Sequence, residues 1–143
     1  MTDNLTSIEC FIPHRGDIVL VKSIENKAKE NFTIRVLIDD KYIIKDKKGV
    51  PSYSIFEMMA QSVAVFNSIH NDSHDQPKVG LLVAIRNFKV EEPYLEIGTN
   101  LKIKVSSILM DANTGSFLCH AYMDEEREFA SARLTTFVPS VDR

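Results

Sequence analysis

Tryptophan is absent, cysteine occurs only at positions 10 and 119, and glycine and proline number five each among 143 residues. Two cysteines so far apart, with no C-x-x-C or Cys/His ligand spacing, argue against a disulfide-built scaffold or a thiolate metal centre and fit free thiols in a reducing compartment. The longest fully apolar run, VGLLVAI at 79–85, is far too short to span a membrane. The opening MTDNLTSIEC lacks a basic stretch followed by an apolar one, so no secretion signal is expected and the protein is read as cytoplasmic. Net charge is −3, and the lysines and arginines are scattered along the chain, which argues against nucleic acid as a partner.

What is present is an ordinary globular composition, 44% hydrophobic and 26% charged. A chain of this length buries roughly two-thirds of its unfolded surface, enough for one core, so a single domain over 1–143 is expected. DIVLVKSI (17–24) and NFTIRVLID (31–39) are rich in valine and isoleucine and read as a strand pair. After the charged loop KDKKGVP, the stretch 52–70 has no glycine or proline and predicts one long helix, with Ser52 and Ser54 available to cap its start. Four strands follow, at 79–90, 100–109, 116–123 and 128–138. In NLKIKVSSIL, Leu101, Ile103 and Val105 alternate with Lys102, Lys104 and Ser106, the pattern of an antiparallel strand with one wet side. A single helix apolar around most of its circumference must be wrapped by the sheet, and an antiparallel sheet curled round one central helix is the hot-dog fold, an α+β architecture.

One glutamate sits inside that apolar helix, in SIFEMMAQS (54–62). At about 100° per residue, Ile55, Met58, Met59, Ser62, Val63, Phe66 and Ile69 form the apolar face, while Ser54, Glu57, Ala60, Gln61, Ala64 and Ser68 lie opposite. That second strip carries small residues where a solvated face would carry Lys and Glu. A carboxyl group in an apolar pocket holds its proton nearer neutral pH, which makes Glu57 a candidate general acid.

The segment VPSYSIFEMMAQS resembles the helix start of the β-hydroxyacyl-(acyl carrier protein) dehydratases, matching at Pro51, Glu57, Met59, Ala60 and Gln61. IPHRGDIVLV (12–21) is similar to that family's L-P-H-R-x-P-x-L-L-V opening, and NFKVEEP…IGTN (87–100) to its F-K-x-P-V-x-P-G-D stretch. Within the family the chain most resembles the divergent branch found with aryl-polyene pathways. The resemblance implies a hot-dog dehydratase of 3-hydroxyacyl thioesters borne on acyl carrier protein, without cofactor or metal. It also implies at least a dimer, either of like chains or with a homologue.

The family's G-H-F-P-G histidine is missing, since no histidine lies between Arg15 and Pro51. By this analogy Glu57 is the acid, His14 the best substitute base, and Ser52, Tyr53 and Gln61 the substrate-binding residues, with backbone N–H groups at Ser52 and Tyr53 facing the thioester oxygen. Asp40 and Tyr42, near the vacated position, are weaker alternatives. His70 and His74 have an i, i+4 spacing but sit at a turn without a third ligand, so no metal site is expected, and His120 reads as an outward-facing strand residue. Arg86 and Lys89 are candidates for docking an acidic carrier. The same pocket would also suit a hot-dog thioesterase, and the missing histidine equally suits a non-catalytic acyl-binding partner of an active homologue.

Overall fold

The computed structural model describes residues 20–39, 49–70, 81–111, 113–123 and 127–137. His14, Asp40, Tyr42 and His74 lie outside them, as does Cys10. Eight strands and one α-helix are described: β1 (Ser23–Asn26), β2 (Phe32–Leu37), β3 (Val50–Pro51), α1 (Ile55–His70), β4 (Leu81–Val90), β5 (Tyr94–Leu95), β6 (Asn100–Met110), β7 (Thr114–Met123) and β8 (Arg127–Phe137). Six of the strands form an antiparallel sheet in the order β1-β2-β6-β7-β8-β4, and β3 pairs with β5 in a separate two-stranded ladder.

Alternation dictates which side of the large sheet meets the helix. Phe32, Ile34 and Val36 of β2, Leu101, Ile103 and Val105 of β6, Phe117, Cys119 and Ala121 of β7, and Ala130, Ala132 and Leu134 of β8 are all buried, and α1 lays Ile55, Met58, Met59, Val63 and Phe66 against them. Toward the C-terminal end of the helix an aromatic cluster forms, with Phe66 5.2 Å from Phe32 and 5.8 Å from Phe117 between ring centroids. This is the hot-dog arrangement that the sequence predicts.

Of the first expected strand, 17–24, the described part from Leu20 to Lys22 is not in strand conformation, and β1 starts at Ser23. Leu20 and Val21 donate their N–H groups to the Gln61 side chain of α1, and bonding to β2 begins with the Lys22 N–H on the Arg35 carbonyl at 2.9 Å, with paired register from Ser23. The helix start also differs. Ser52–Ser54 form a turn of 3-10 helix before α1, with no side-chain cap. Instead the Ser52 N–H donates to the Pro93 carbonyl at 2.8 Å and its hydroxyl to the Glu92 carbonyl, both on the segment leading into β5. The β3·β5 ladder, pairing Val50 with Leu95 and Pro51 with Tyr94, thus clamps the chain where it enters the helix. Gly49 makes the clamp possible, because its φ of 121° suits glycine and a Cβ there would overlap the Leu95 carbonyl.

Strand β4, at the sheet edge among the described residues, carries a bulge between Arg86 and Lys89 with Asn87 in the left-handed region at φ 56°. Asparagine tolerates that conformation better than most residues. The extra residue lets Phe88 turn toward α1, its ring 4.2 Å from Phe56, while Arg86 and Lys89 both sit opposite convex-face residues of β8.

Candidate functional site

The first turns of α1 carry two of the sequence-predicted residues, Glu57 and Gln61, with Ser52 and Tyr53 in the turn just before them. Met58 and Met59 are fully buried and hold the helix on the sheet, so Glu57, between Phe56 and Met58, is turned out of the core and is exposed. Gln61, one turn further on, is fully buried, and its Nε2 donates to Glu57 Oε2 at 3.2 Å. The Gln61 Oε1 accepts from the Leu20 N–H at 2.8 Å and from the Val21 N–H at 3.4 Å. The glutamine therefore links three things: the acid, the helix, and the backbone that follows the P-H-R motif.

This placement divides the predicted substrate-binding residues. Ser52 is 1% exposed, with its N–H and hydroxyl both bonded to the Glu92–Pro93 backbone, and Gln61 is 0% exposed, whereas Tyr53 is 56% exposed beside Glu57. Ser54 Oγ is buried without a hydrogen-bond partner one turn before Glu57. The strip opposite the apolar face is thus not uniformly wet. Gln61 and Ser68 are buried, Ala60 and Ala64 half-buried, and Glu57 alone among them is exposed on the single chain.

The remaining candidates are placed elsewhere. His120 Nδ1 lies 3.2 Å from Glu128 Oε1 on the opposite face of the sheet from α1, stacked on Tyr122 at 6.2 Å. His70 closes α1 against Phe66 and Phe32, with Nε2 buried and unpartnered, and burial lowers its affinity for a proton, assisted by the nearby Lys29 charge. Cys119 is a buried free thiol that burial pushes up to about 12. No group of three or more His, Cys, Asp or Glu with metal-site geometry occurs among the described residues. Sequence reasoning did not foresee the Phe56–Phe88 contact beside the acid or the Ser52–Pro93 anchor. The only signal for the anchor was Pro93 itself, in a stretch that resembles the dehydratase family.

Solved structures share this architecture. The dehydratase heterocomplex ApeI:P from Xenorhabdus doucetiae matches with a TM-score of 0.84 at 22% identity, over 93% of this chain and 91% of that one. A hypothetical thioesterase with coenzyme A from Streptococcus pneumoniae matches with a TM-score of 0.62 at 15% identity, over 85% and 88%. The PaaI protein of the phenylacetic acid degradation operon of E. coli matches with a TM-score of 0.60 at 10% identity, over 80% of each chain. At these identities the likeness establishes the hot-dog fold. No curated protein matches the chain. No helix among the described residues is long and apolar enough to cross a membrane. The profile of the ApeP-like family, described as ApeP dehydratase, matches residues 6–143, taking in the P-H-R opening, the Glu57 helix and all the described strands; the chain belongs to the ApeP-like dehydratase family.

Proposed function

We propose that this chain is a dehydratase subunit that removes water from 3-hydroxyacyl thioesters carried on an acyl carrier protein, in biosynthesis of the aryl-polyene or fatty-acid type. The observation that carries the proposal is Glu57: an exposed carboxylate on a helix whose neighbouring Met58 and Met59 are core, held by the buried Gln61, which also anchors the Leu20–Val21 backbone. In this reading Glu57 gives its proton to the C3 hydroxyl, which leaves as water, while a base removes the C2 proton and the electron pair closes the C2–C3 double bond. The transient charge on the thioester oxygen falls to a backbone N–H at the helix start. Because the Ser52 N–H is already donated to Pro93, that role passes to Tyr53, and Ser52 and Gln61 act as supports for the site rather than as substrate contacts.

The base is His14 or an imidazole supplied by a second chain. Strand β4 favours an oligomer, since it is an open sheet edge among the described residues, with Leu82, Val83 and Val90 exposed along it. A second subunit paired there would cover Phe56, Phe88 and Glu57 and create the enclosure that the single chain does not provide. That subunit is a like chain or a homologue, the latter favoured by the likeness to one member of a dehydratase heterocomplex. The same likeness, together with the missing G-H-F-P-G histidine, supports a second reading in which this chain is the non-catalytic partner of an active homologue.

Glu57→Gln in the assembled protein separates the two. As the acid, Glu57 contributes about 10²–10⁴-fold to turnover, so enoyl formation falls by that factor with the fold intact. Undiminished turnover removes Glu57 from the chemistry and leaves the partner reading.

A further inference from the structure

The convex face of the sheet, opposite α1, is cationic on a protein whose net charge is −3. Register places Arg35, Lys102, Lys104, Lys89, Arg133 and Arg86 on this one surface, although they come from four well-separated stretches of sequence. Two like-charged pairs stand directly opposite each other on neighbouring strands, Arg35 with Lys102 and Arg86 with Arg133. Facing like charges destabilise a sheet. The acids that answer them are few: among the described residues, Glu25 is paired with Lys102 at 3.3 Å and Glu128 with His120 at 3.2 Å. Arg86, Arg133 and Lys89 form no ion pair with any described residue.

Beside the arginine pair the same face exposes large apolar side chains. Leu118, in register with Arg133, is 37% exposed, and Leu109 and Phe137, toward one end of the sheet, are 65% and 39% exposed. Apolar anchors flanked by arginine suit a protein partner better than a polyphosphate backbone, because protein interfaces combine an apolar centre with complementary charge at the rim. The β4 bulge links this surface to the candidate site: Arg86 and Lys89 lie on the convex side, and Phe88 between them reaches Phe56, next to Glu57.

We propose that the convex face around Arg86, Arg133, Lys89 and Leu118 docks an acidic protein, the carrier that bears the thioester. The identity of the partner rests on the dehydratase reading, whereas the existence of an anion-seeking protein interface rests on the charges and apolar residues alone.

The test is the affinity of the full chain for a purified holo acyl carrier protein, measured by titration calorimetry at several salt concentrations. It compares the wild type, the charge reversal Arg86→Glu/Arg133→Glu, and the conservative Arg86→Lys/Arg133→Lys. Wild-type binding that weakens with salt, falls at least about tenfold on reversal and survives the lysine variant is the expected result. With turnover as a second readout, reversal raises KM for the carrier-bound substrate and leaves kcat on a short free thioester unchanged. No wild-type binding, equal affinity after reversal, or single-stranded RNA binding the face as tightly as the carrier would overturn the proposal. Loss of binding on reversal, in a chain that turns over neither thioester alone or assembled with a homologous dehydratase subunit, keeps the surface and removes the dehydratase reading. Turnover with affinity indifferent to the reversal does the opposite.

Discussion

The two ends of helix α1 are built for opposite purposes. At the C-terminal end Phe66 is wedged between Phe32 and Phe117, and His70 packs onto Phe66 and Phe32, so the helix is held there by a cluster of rings. At the N-terminal end the helix is gripped from behind, by the β3·β5 clamp and by Ser52 on the Glu92–Pro93 backbone, and its outward side is left to Tyr53 and Glu57. One end supplies cohesion and the other supplies a fixed mount for an exposed acid. A reactive group must be both accessible and held still, and separating the two tasks along one helix meets both requirements.

The contrast can be broken from either end. Phe66→Ala removes the keystone of the aromatic cluster and lowers unfolding free energy by about 3–5 kcal/mol, measured by urea denaturation, with any surviving folded fraction keeping the activity proposed for Glu57. Gln61→Ala strikes the other end. It strands the Leu20 and Val21 N–H groups at a cost of about 1–3 kcal/mol and, because Glu57 loses its tether, lowers turnover more than Phe66→Ala does per folded molecule. Equal effects of the two variants on turnover per folded molecule would deny the division. Cys119, deep in the sheet side of the core with its thiol pushed up to about 12, stays unlabelled by iodoacetamide in the native Cys10→Ser variant and takes one label after unfolding. The smallest expected effect is at His70. Burial and the Lys29 charge lower its folded pKa below the unfolded value of about 6.5, partly offset by a hydrogen bond with the Lys27 backbone and by Glu30. The unfolded chain therefore binds the proton more readily, and this contribution to stability is present above about pH 6.5 and lost as pH falls toward the folded pKa. Denaturation midpoints from pH 7.5 to 5.5 should show a slightly shallower acid decline in His70→Phe than in the wild type.

Much of the fold was legible because it rests on period. The β6 alternation of Leu101, Ile103 and Val105 with lysines, and the apolar spacing of Ile55, Met58, Met59 and Phe66, identify which side of each element is buried without reference to anything distant. The illegible features depend on contacts far apart in sequence. The pairing of Val50 with Leu95 spans two residues on each side and leaves no periodic trace, and Gln61 takes the N–H groups of residues some forty positions earlier. The cations show the same limit. Read along the chain they are scattered, yet strand register gathers six of them onto one face, so a surface of definite charge arose from a sequence that has no basic run. The candidate site was half legible. Glu57 stands out in the sequence as a charge inside an apolar helix, whereas the burial of Gln61 and Ser52 required the packing.

On the single chain Glu57 stands in the open, and the account requires that assembly enclose it. The decisive measurement is a crystal structure of the assembled oligomer, read for the distance from the Glu57 carboxyl to the nearest imidazole. An imidazole within direct hydrogen-bond reach or one bridging water, across a channel walled by Phe56 and Phe88, is the predicted result. A carboxyl bathed in bulk solvent on the outside of the assembly, with no channel leading to it, would contradict the account.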